Sequence, residues 1–250
     1  QPVSRFASEG VKTSVLKNFT HSTAMGGLMI TEPDHGSDAL KMQTEYTPTD
    51  KGFHIRGTKH WGGLTGKADY WLLTARKKSD NGTLQRDIDF FVYDSEMQGI
   101  TVEEYYDNLG LYPIPYGRNM IDVELPQENK LQPESTGIKM MLDILHRSRT
   151  QFPGMAMGYL RRMLDEAVDH CKSRFVGGRS LFNYEQVKRR LSKLQSAYTI
   201  SSAMCYWSGN AASLNNDLSG ADVSSNSIKS VITDLMHEAS QSLLQLVGAK

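Results

Sequence analysis

The chain has 250 residues, of which 39% are hydrophobic and 22% charged, a composition typical of a globular protein with one large or two medium domains. Lys plus Arg and Asp plus Glu each number 28, so no net basic field favours nucleic acid or an anionic membrane. No apolar run reaches the ~20 residues of a membrane span. The two cysteines, Cys171 and Cys205, fall in helical patterns and favour buried thiols in a reducing compartment. We therefore predict a cytoplasmic protein with neither a nucleic-acid partner nor a membrane span.

A polar turn follows the first apolar run of the chain, Leu28-Met29-Ile30. Its sequence is Thr31-Glu32-Pro33-Asp34-His35-Gly36-Ser37-Asp38. Pro33 and Gly36 are predicted to set unusual backbone angles, and the hydroxyl and carboxylate after them offer a hydrogen-bond donor and acceptors. Such a turn can hold the polar edge of a ligand, although the same residue types also make ordinary loops.

Short runs bounded by turn residues continue from Gly27 to about Leu125 and predict an antiparallel β domain. Thr49-Asp50-Lys51-Gly52 has the composition of a turn between two such runs. The predicted strands are 28–31, 42–47, 53–56, 70–75, 89–93, 100–103 and 119–124.

After Pro126 and Pro133 the apolar period changes from 2 to 3.6 and predicts three long helices. Pro153 lies inside the first helix and should bend it, because proline removes a backbone donor. Residues 213–227, rich in Asn, Ser, Asp and Gly, predict an exposed and mobile loop between the second and third helices. The broad apolar faces favour a packed bundle that continues across a subunit boundary.

The second motif is Lys59-His60-Trp61-Gly62-Gly63, followed by Lys67-Ala68-Asp69. The polar turn, this motif, the β runs and the long helices form a series that resembles the acyl-CoA dehydrogenase family. The resemblance implies an α+β multidomain fold, with an antiparallel β-barrel-like middle domain followed by an α-helical bundle of the four-helix type. Residues 1–26 would be the remnant of an N-terminal helical domain, 27–132 the flavin-binding β domain and 133–250 the bundle.

The resemblance also implies an activity. In the family, FAD lies between the β domain and the bundle, a base removes the α-proton of an acyl thioester, and the β-hydride passes to flavin N5. Electron-transfer flavoprotein or another acceptor reoxidises the flavin, and the usual assembly is a homotetramer, a dimer of dimers. The resemblance implies that the catalytic base lies beyond Lys250, so no catalytic residue is named in this chain.

The resemblance also implies roles for individual residues. Trp61 corresponds to an aromatic ring packed on the flavin, and Ser37 and Arg149 correspond to substrate contacts. Arg174 and Gln245 correspond to side chains that reach the FAD of a neighbouring subunit. The residues implied in cofactor binding are Met29, Ile30, Thr31, Gly36, Ser37, Trp61, Gly62, Gly63, Arg174, Gln245 and Gly248. Without the neighbouring motif, Trp61 would be interpreted as a core aromatic of the β domain. The alternative for Arg149, Arg174 and Gln245 is an ordinary solvated side chain.

Several positions depart from the family pattern. Gly63 replaces a threonine whose hydroxyl bonds flavin N5, and His146 replaces an aspartate that touches the CoA arm. Ser148 stands where a minority of members carry the catalytic glutamate. The spacing from Gly178 to Gln186 is one residue longer than expected, and Ala249 replaces the second glycine of the motif that begins at Gln245.

Three functions stay open at this stage. The first is an FAD-dependent acyl-thioester dehydrogenase that acts on an acyl-CoA or an acyl carrier protein. The second is a flavin monooxygenase of the same fold, suggested by the loss of the threonine and the aspartate. The third is a non-catalytic FAD-binding subunit. The seven histidines show no metal-ligand spacing, and Rossmann, P-loop and serine-hydrolase motifs are absent from the sequence.

Overall fold

The computed structural model describes residues 1–248 and divides the chain into two compact units, Gln1–Met140 and Met141–Lys250. Ala249, one of the departures noted above, lies outside the described residues. The first unit begins with two helices, α1 (Pro2–Phe6) and α2 (Glu9–His21). That these helices are the remnant of a larger N-terminal domain stays a prediction.

Seven strands follow, and each corresponds to a predicted one, although their bounds differ. They are β1 (Gly26–Met29), β2 (Glu45–Thr49), β3 (Gly52–Gly63), β4 (Tyr70–Lys77), β5 (Asp89–Asp94), β6 (Ile100–Tyr105) and β7 (Tyr116–Pro126). The largest difference concerns β3, which is 12 residues long and was predicted only over 53–56. Its second half has polar residues and glycines in place of the alternating apolar pattern.

The strands form one sheet in the order β1-β4-β2-β3-β7-β6, with β5 also paired to β4. The β2–β3, β3–β7, β4–β5 and β6–β7 pairs are antiparallel, as predicted. The β1–β4 and β2–β4 pairs are parallel, so the expectation of a purely antiparallel domain is wrong in this detail. Periodicity cannot reveal pairing direction, because both kinds of strand alternate with period 2. The inner face is packed with apolar side chains such as Ile55, Leu73 and Phe91.

A buried ion pair connects β3 to the turn after β1. Lys59 is fully buried, and its Nζ donates to Glu32 Oε1 at 2.9 Å, to Ile30 O at 3.1 Å and to Thr74 Oγ1 at 3.0 Å. The Thr74 hydroxyl in turn donates to Met29 O at 2.9 Å. An ammonium has three N–H donors, so each finds one oxygen acceptor. The lysine therefore holds the backbone of residues 29–32 against the sheet.

Glu32 is the other half of this pair. Its carboxylate accepts hydrogen bonds from the Gln43 and Thr44 backbone N–H groups and from the Thr44 hydroxyl. Burial acts to raise the pKa of Glu32, but the nearby Lys59 charge and these donors hold that pKa below its ordinary value. Burial lowers the pKa of Lys59 to about 8, a change that the Glu32 carboxylate opposes. The pair is ionised at neutral pH and ties together the two ends of the segment between β1 and β2.

The second unit is helical, and one predicted helix is in fact two. Its helices are α3 (Gly137–Thr150, which begins in the first unit), α4 (Phe152–Ser173), α5 (Glu185–Ala211) and α6 (Asp222–Val247). A short hairpin, β8 (Phe175–Val176) and β9 (Arg179–Ser180), follows α4. Pro153 does not bend one long helix; the chain breaks at Gln151 and the proline sits in the first turn of α4. There its missing N–H is tolerated, because the first N–H groups of a helix have no intrahelical acceptor. Leu160, Leu194 and Ile232 lie in the shared core of α4, α5 and α6.

The loop between α5 and α6 is shorter than predicted, because α6 begins at Asp222. Its residues 213–217 are exposed, but the segment is tied to α3 instead of lying free in solvent. Arg147 donates to the carbonyls of Ala212, Ser213 and Asn216. Buried Leu218 donates its N–H to Asp143 Oδ1 at 2.8 Å, and its carbonyl lies 2.7 Å from His146 Nδ1. The composition of the loop gave no sign of these contacts.

A matched pair of arginines tests the tether between α3 and this loop. Arg147 pairs with Asp143, four residues earlier in its helix, and Arg161 pairs with Asp165, four residues later. Only the Arg147–Asp143 pair is buried. We expect Arg147→Met to lower the free energy of unfolding by about 3–5 kcal/mol, because it removes the arginine from a buried ion pair together with its hydrogen bonds to the loop carbonyls. Arg161→Met should change it by less than about 1 kcal/mol. Urea unfolding measures both, and equal effects would contradict the tether.

A mutant cycle tests the Glu32–Lys59 pair. Lys59→Met should cost about 3–5 kcal/mol of unfolding free energy, because Glu32 stays buried and charged. Glu32→Gln combined with Lys59→Met should recover much of that loss, because the amide oxygen still accepts hydrogen bonds and no unpaired charge remains.

The matched control is the partly exposed Lys78–Glu45 pair, with the same N–O distance of 2.9 Å. Lys78→Met should cost less than about 1 kcal/mol. If Lys59→Met is no worse than its control in urea unfolding, the buried pair does not hold the segment.

Candidate functional site

The turn after β1 lies against β3. Thr31 O accepts a hydrogen bond from His60 N at 2.8 Å, next to the Lys59 contact with Ile30. Backbone bonds of 3.2 Å in both directions between Glu32 and His35 close the turn. The two predicted motifs are therefore brought together, with Met29 buried, Ile30 and Thr31 partly buried, and Gly36 and Ser37 exposed. These positions leave the Thr31 and Ser37 side chains available to a ligand.

One expectation about this turn is wrong. Gly36 does not have a positive φ, and the space around its α-carbon is open. The closing hydrogen bonds fall between Glu32 and His35, so the reversal is complete before the glycine is reached. Its place in the motif is not explained by backbone strain.

Trp61 has the most unusual backbone of the site. It has a φ of 58°, in the left-handed region that is rare for a bulky residue. The β3–β7 register pairs Lys59 with Asn119 and Gly62 with Gly117, so His60 and Trp61 together oppose the single residue Arg118. This arrangement is a β-bulge, which redirects side chains and often lies beside functional sites. The indole is 50% exposed, so the alternative that Trp61 is a core aromatic is wrong.

Three aromatic side chains surround the exposed indole. The ring centroids of Tyr106, His60 and Tyr116 lie 4.7, 5.2 and 6.3 Å from that of Trp61. The Tyr106 hydroxyl hydrogen bonds to His60 Nδ1. Burial and then the Arg118 charge lower the pKa of His60, so its imidazole is neutral at pH 7, and burial raises the pKa of Tyr106. The cluster is uncharged and aromatic, with its rings tilted by 51–88° relative to one another.

A cavity of about 510 Å³ opens beside the indole. It is lined by Trp61, Tyr116 and the connection between β6 and β7, residues 107–111. Leu109 and Leu111 in this connection are exposed, and Leu111 has a positive φ of 55°. The cavity is thus mostly apolar, with one aromatic wall, which is the usual character of a site for a planar organic ligand.

Apart from Trp61, the residues around this cavity were not predicted as site residues. A usable indication was present, because Tyr105, Tyr106, Tyr112 and Tyr116 lie within twelve residues. Which of these rings reach Trp61 depends on the bulge, which no local pattern reveals.

Gly62 and Gly63 end β3 at positions with little room for side chains. A Cβ on Gly62 would lie 3.1 Å from Asn119 Nδ2, and one on Gly63 would lie 3.3 Å from a ring carbon of Tyr116. Both distances are shorter than ordinary van der Waals contact. The glycines therefore bring backbone close to the space in front of the indole.

In the second unit, Arg174 lies between α4 and the hairpin with an exposed side chain and no carboxylate partner within residues 1–248. The hairpin lies at the start of the segment from Gly178 to Gln186. Gly177 and Gly178, with φ of 58° and 80°, form its two-residue turn between Val176 and Arg179. Arg179 stacks on the Tyr184 ring with a guanidinium-to-centroid distance of 4.0 Å.

The other predicted residues of this unit lie on separate elements. Arg149 is partly buried in the last turn of α3, Gln245 is exposed near the end of α6, and Gly248 ends α6 with a φ of 72°. Arg149, Arg174 and Gln245 share no hydrogen bond or ion pair in the described part of the chain. His146 points into the unit toward Leu218, and the neighbouring Ser148 is exposed.

Among residues 1–248, no three His, Cys, Asp or Glu side chains are grouped so that they could hold a metal ion. None of the helices in the same range combines the length and the apolar character that crossing a bilayer requires. The arrangement described above can bind a planar aromatic group beside Trp61 and polar groups at the turn.

Comparisons with known proteins identify the family. Residues 27–122 match the acyl-CoA dehydrogenase middle domain, and residues 135–250 match the acyl-CoA dehydrogenase C-terminal domain. The chain is 26% identical over 196 residues to the short-chain acyl-CoA dehydrogenase of Megasphaera elsdenii, covering 78% of this chain and 51% of that enzyme. It is 25% identical to the L-prolyl-[peptidyl-carrier protein] dehydrogenase of Pseudomonas fluorescens, covering 92% of this chain and 62% of that protein.

A solved structure supports the fold. The prolyl acyl carrier protein oxidase AnaB superimposes with a TM-score of 0.88 at 16% identity, covering 99% of this chain and 64% of that chain. The chain thus spans less than two thirds of the length of each of these relatives. The resemblance drawn from the two motifs is confirmed: this chain belongs to the acyl-CoA dehydrogenase family, a family of FAD-dependent oxidoreductases.

Proposed function

We propose that this chain binds FAD and takes part in the α,β-dehydrogenation of an acyl thioester. The observation that carries the proposal is Trp61, whose indole is held outward by a β-bulge with a left-handed backbone. Strain of this kind costs about 1–3 kcal/mol and persists where the surrounding structure enforces it. An apolar, aromatic-walled cavity beside that ring fits an isoalloxazine.

The residues of the first unit have complementary roles in this proposal. The indole of Trp61 packs on the flavin ring, and the backbone of Gly62 and Gly63 approaches it closely. The Thr31 and Ser37 hydroxyls serve the polar groups of the cofactor, and Ser37 also faces the substrate. The residues proposed to contact FAD in this unit are Met29, Ile30, Thr31, Gly36, Ser37, Trp61, Gly62 and Gly63.

The second unit contributes charge and hydrogen-bonding groups. Arg174 suits a diphosphate, because a guanidinium without a carboxylate partner can bind phosphate oxygens through two N–H groups. Gln245 and Gly248 are proposed to contact the cofactor of a neighbouring subunit, and Arg149 the substrate. This assignment needs a homo-oligomer, for which a dimer of dimers is the proposal.

In the proposed reaction, bound FAD supplies the acceptor for a hydride. The α-proton of the thioester goes to a base, the β-hydride goes to the flavin, and a carbon–carbon double bond forms. Electron-transfer flavoprotein or a similar acceptor would then take up the two electrons. The named relatives act on substrates with different carriers, CoA and a carrier protein. The His146 side chain is buried, so it does not replace an exposed aspartate at a CoA arm.

A flavin monooxygenase is the second candidate. The observation that favours it is Gly63, which leaves position 63 without a side-chain hydroxyl beside the flavin ring. Oxygen uptake on addition of reduced flavin would indicate this reaction instead of thioester oxidation.

Substitution of Trp61 tests cofactor binding. We expect Trp61→Ala to weaken FAD binding by about tenfold or more, because an aromatic contact is worth roughly 0.5–1.5 kcal/mol beyond the buried area. Trp207→Ala is the matched control, because Trp207 is 49% exposed on α5. Isothermal titration of the full-length protein with FAD measures both affinities. Equal effects of the two substitutions would contradict the assignment.

An anaerobic titration tests the reaction. The FAD-loaded full-length protein should lose its visible flavin absorbance when the right saturated thioester is added, with one enoyl thioester formed for each flavin reduced. Butyryl-CoA and prolyl carrier protein are compared first, because the relatives include both carrier types. A protein that binds FAD but is bleached by no thioester, and that consumes oxygen when reduced, would favour the monooxygenase.

A further inference from the structure

The side chain that lies closest to the empty position 63 is that of Tyr116. Gly63 and Tyr116 are directly paired in the β3–β7 ladder, so their side-chain directions point to the same face of the sheet. A Cβ built on Gly63 would lie 3.6 Å from the Tyr116 hydroxyl oxygen. The phenol therefore occupies the space that a side chain at position 63 would take.

The hydroxyl of Tyr116 is also available. It has no hydrogen-bond partner among residues 1–248, and its ring lines the cavity beside Trp61. Two other hydroxyl groups near this place are already engaged. The Tyr106 hydroxyl bonds His60 Nδ1, and the Thr65 hydroxyl donates to Gly62 O at 2.6 Å and accepts from Asn119. Among these groups, only the Tyr116 phenol is left to serve a ligand.

From this juxtaposition we infer that Tyr116 donates a hydrogen bond to the polar edge of the isoalloxazine ring, in place of a hydroxyl at position 63. The inference rests on the proposed function and deepens it by naming a further cofactor-binding residue. The donor comes from β7 instead of β3, on the strand that pairs with the bulged one. The glycine leaves room for the phenol, because a Cβ at position 63 would lie 3.3 Å from a ring carbon of Tyr116 and a larger side chain would compete for the same space.

The proposed hydrogen bond should affect how easily the bound flavin is reduced. A hydroxyl that donates to a ring nitrogen or carbonyl withdraws electron density, so the ring accepts electrons more easily. Removal of this hydroxyl should make the bound flavin harder to reduce, while the aromatic contact of the phenyl ring with Trp61 is kept. A purely structural role for Tyr116 would change protein stability and FAD affinity without changing the flavin itself.

The test uses Tyr116→Phe in the full-length, FAD-loaded protein, with Tyr206→Phe as control because Tyr206 is an exposed tyrosine on α5. The readouts are the FAD affinity, the visible spectrum and the midpoint potential against reference dyes. We expect Tyr116→Phe to bind FAD within about tenfold of wild type. Its midpoint potential should be more negative, its flavin bands should shift, and reduction should be about tenfold slower. Tyr206→Phe should leave all of these unchanged.

A swap of the hydroxyl between the strands gives a second test. Gly63→Thr with Tyr116→Ala places a hydroxyl on β3 and removes the phenol that would clash with it. Gly63→Ala with Tyr116→Ala is identical except for that hydroxyl. The threonine variant should have a midpoint potential closer to wild type than the alanine variant, which supports a donor at this place.

The outcomes distinguish a failure of the role inferred for Tyr116 from a failure of the proposed function. If Tyr116→Phe binds FAD with an unchanged potential and spectrum, or if the two swap variants have equal potentials, the role of Tyr116 is overturned and the proposed function stands. If the wild-type protein takes up no FAD, the proposed function itself is overturned.

Discussion

The site depends on strand β3, in which Lys59 points into the protein and Trp61 points outward. Lys59 of β3 points inward, fully buried, and fixes the segment after β1 through hydrogen bonds to Ile30 and Glu32, with a third to Thr74 of β4. Two residues later Trp61 is turned outward by a β-bulge. An unbroken strand would place residues 59 and 61 on the same face, and the indole would be buried. The bulge is what converts a sheet interior into a binding surface.

In both units a buried ion pair fixes a polar connecting segment, although different residue types are used. Both contain a polar segment that joins regular elements and would otherwise be loose. In the first unit, the Glu32 carboxylate and the Lys59 ammonium fix the segment between β1 and β2. In the second, Arg147, Asp143 and His146 of α3 bind the backbone of the α5–α6 loop. In each case an ion pair is buried and further hydrogen bonds, to backbone groups and in the first unit also to threonine hydroxyls, satisfy its remaining donors and acceptors.

Much of the fold could be predicted from sequence because it follows from local pattern. All seven strands of the sheet, the helical second half and the two motifs of the flavin-binding region were found this way, and the family comparisons confirm the class. Parallel pairing with β4, the break at Gln151 and the tethered loop could not be found, because each depends on contacts between distant residues. The same holds for the role proposed for Tyr116, which rests on its pairing with Gly63.

The central claim is that a flavin ring lies against the indole of Trp61. Tryptophan fluorescence during titration of the full-length protein with FAD tests it most directly, because a stacked isoalloxazine quenches the neighbouring indole. The account predicts saturable quenching with one FAD per chain, retained in Trp207→Phe and largely lost in Trp61→Phe. Equal quenching in both variants, or no saturable quenching in the wild type, would contradict it.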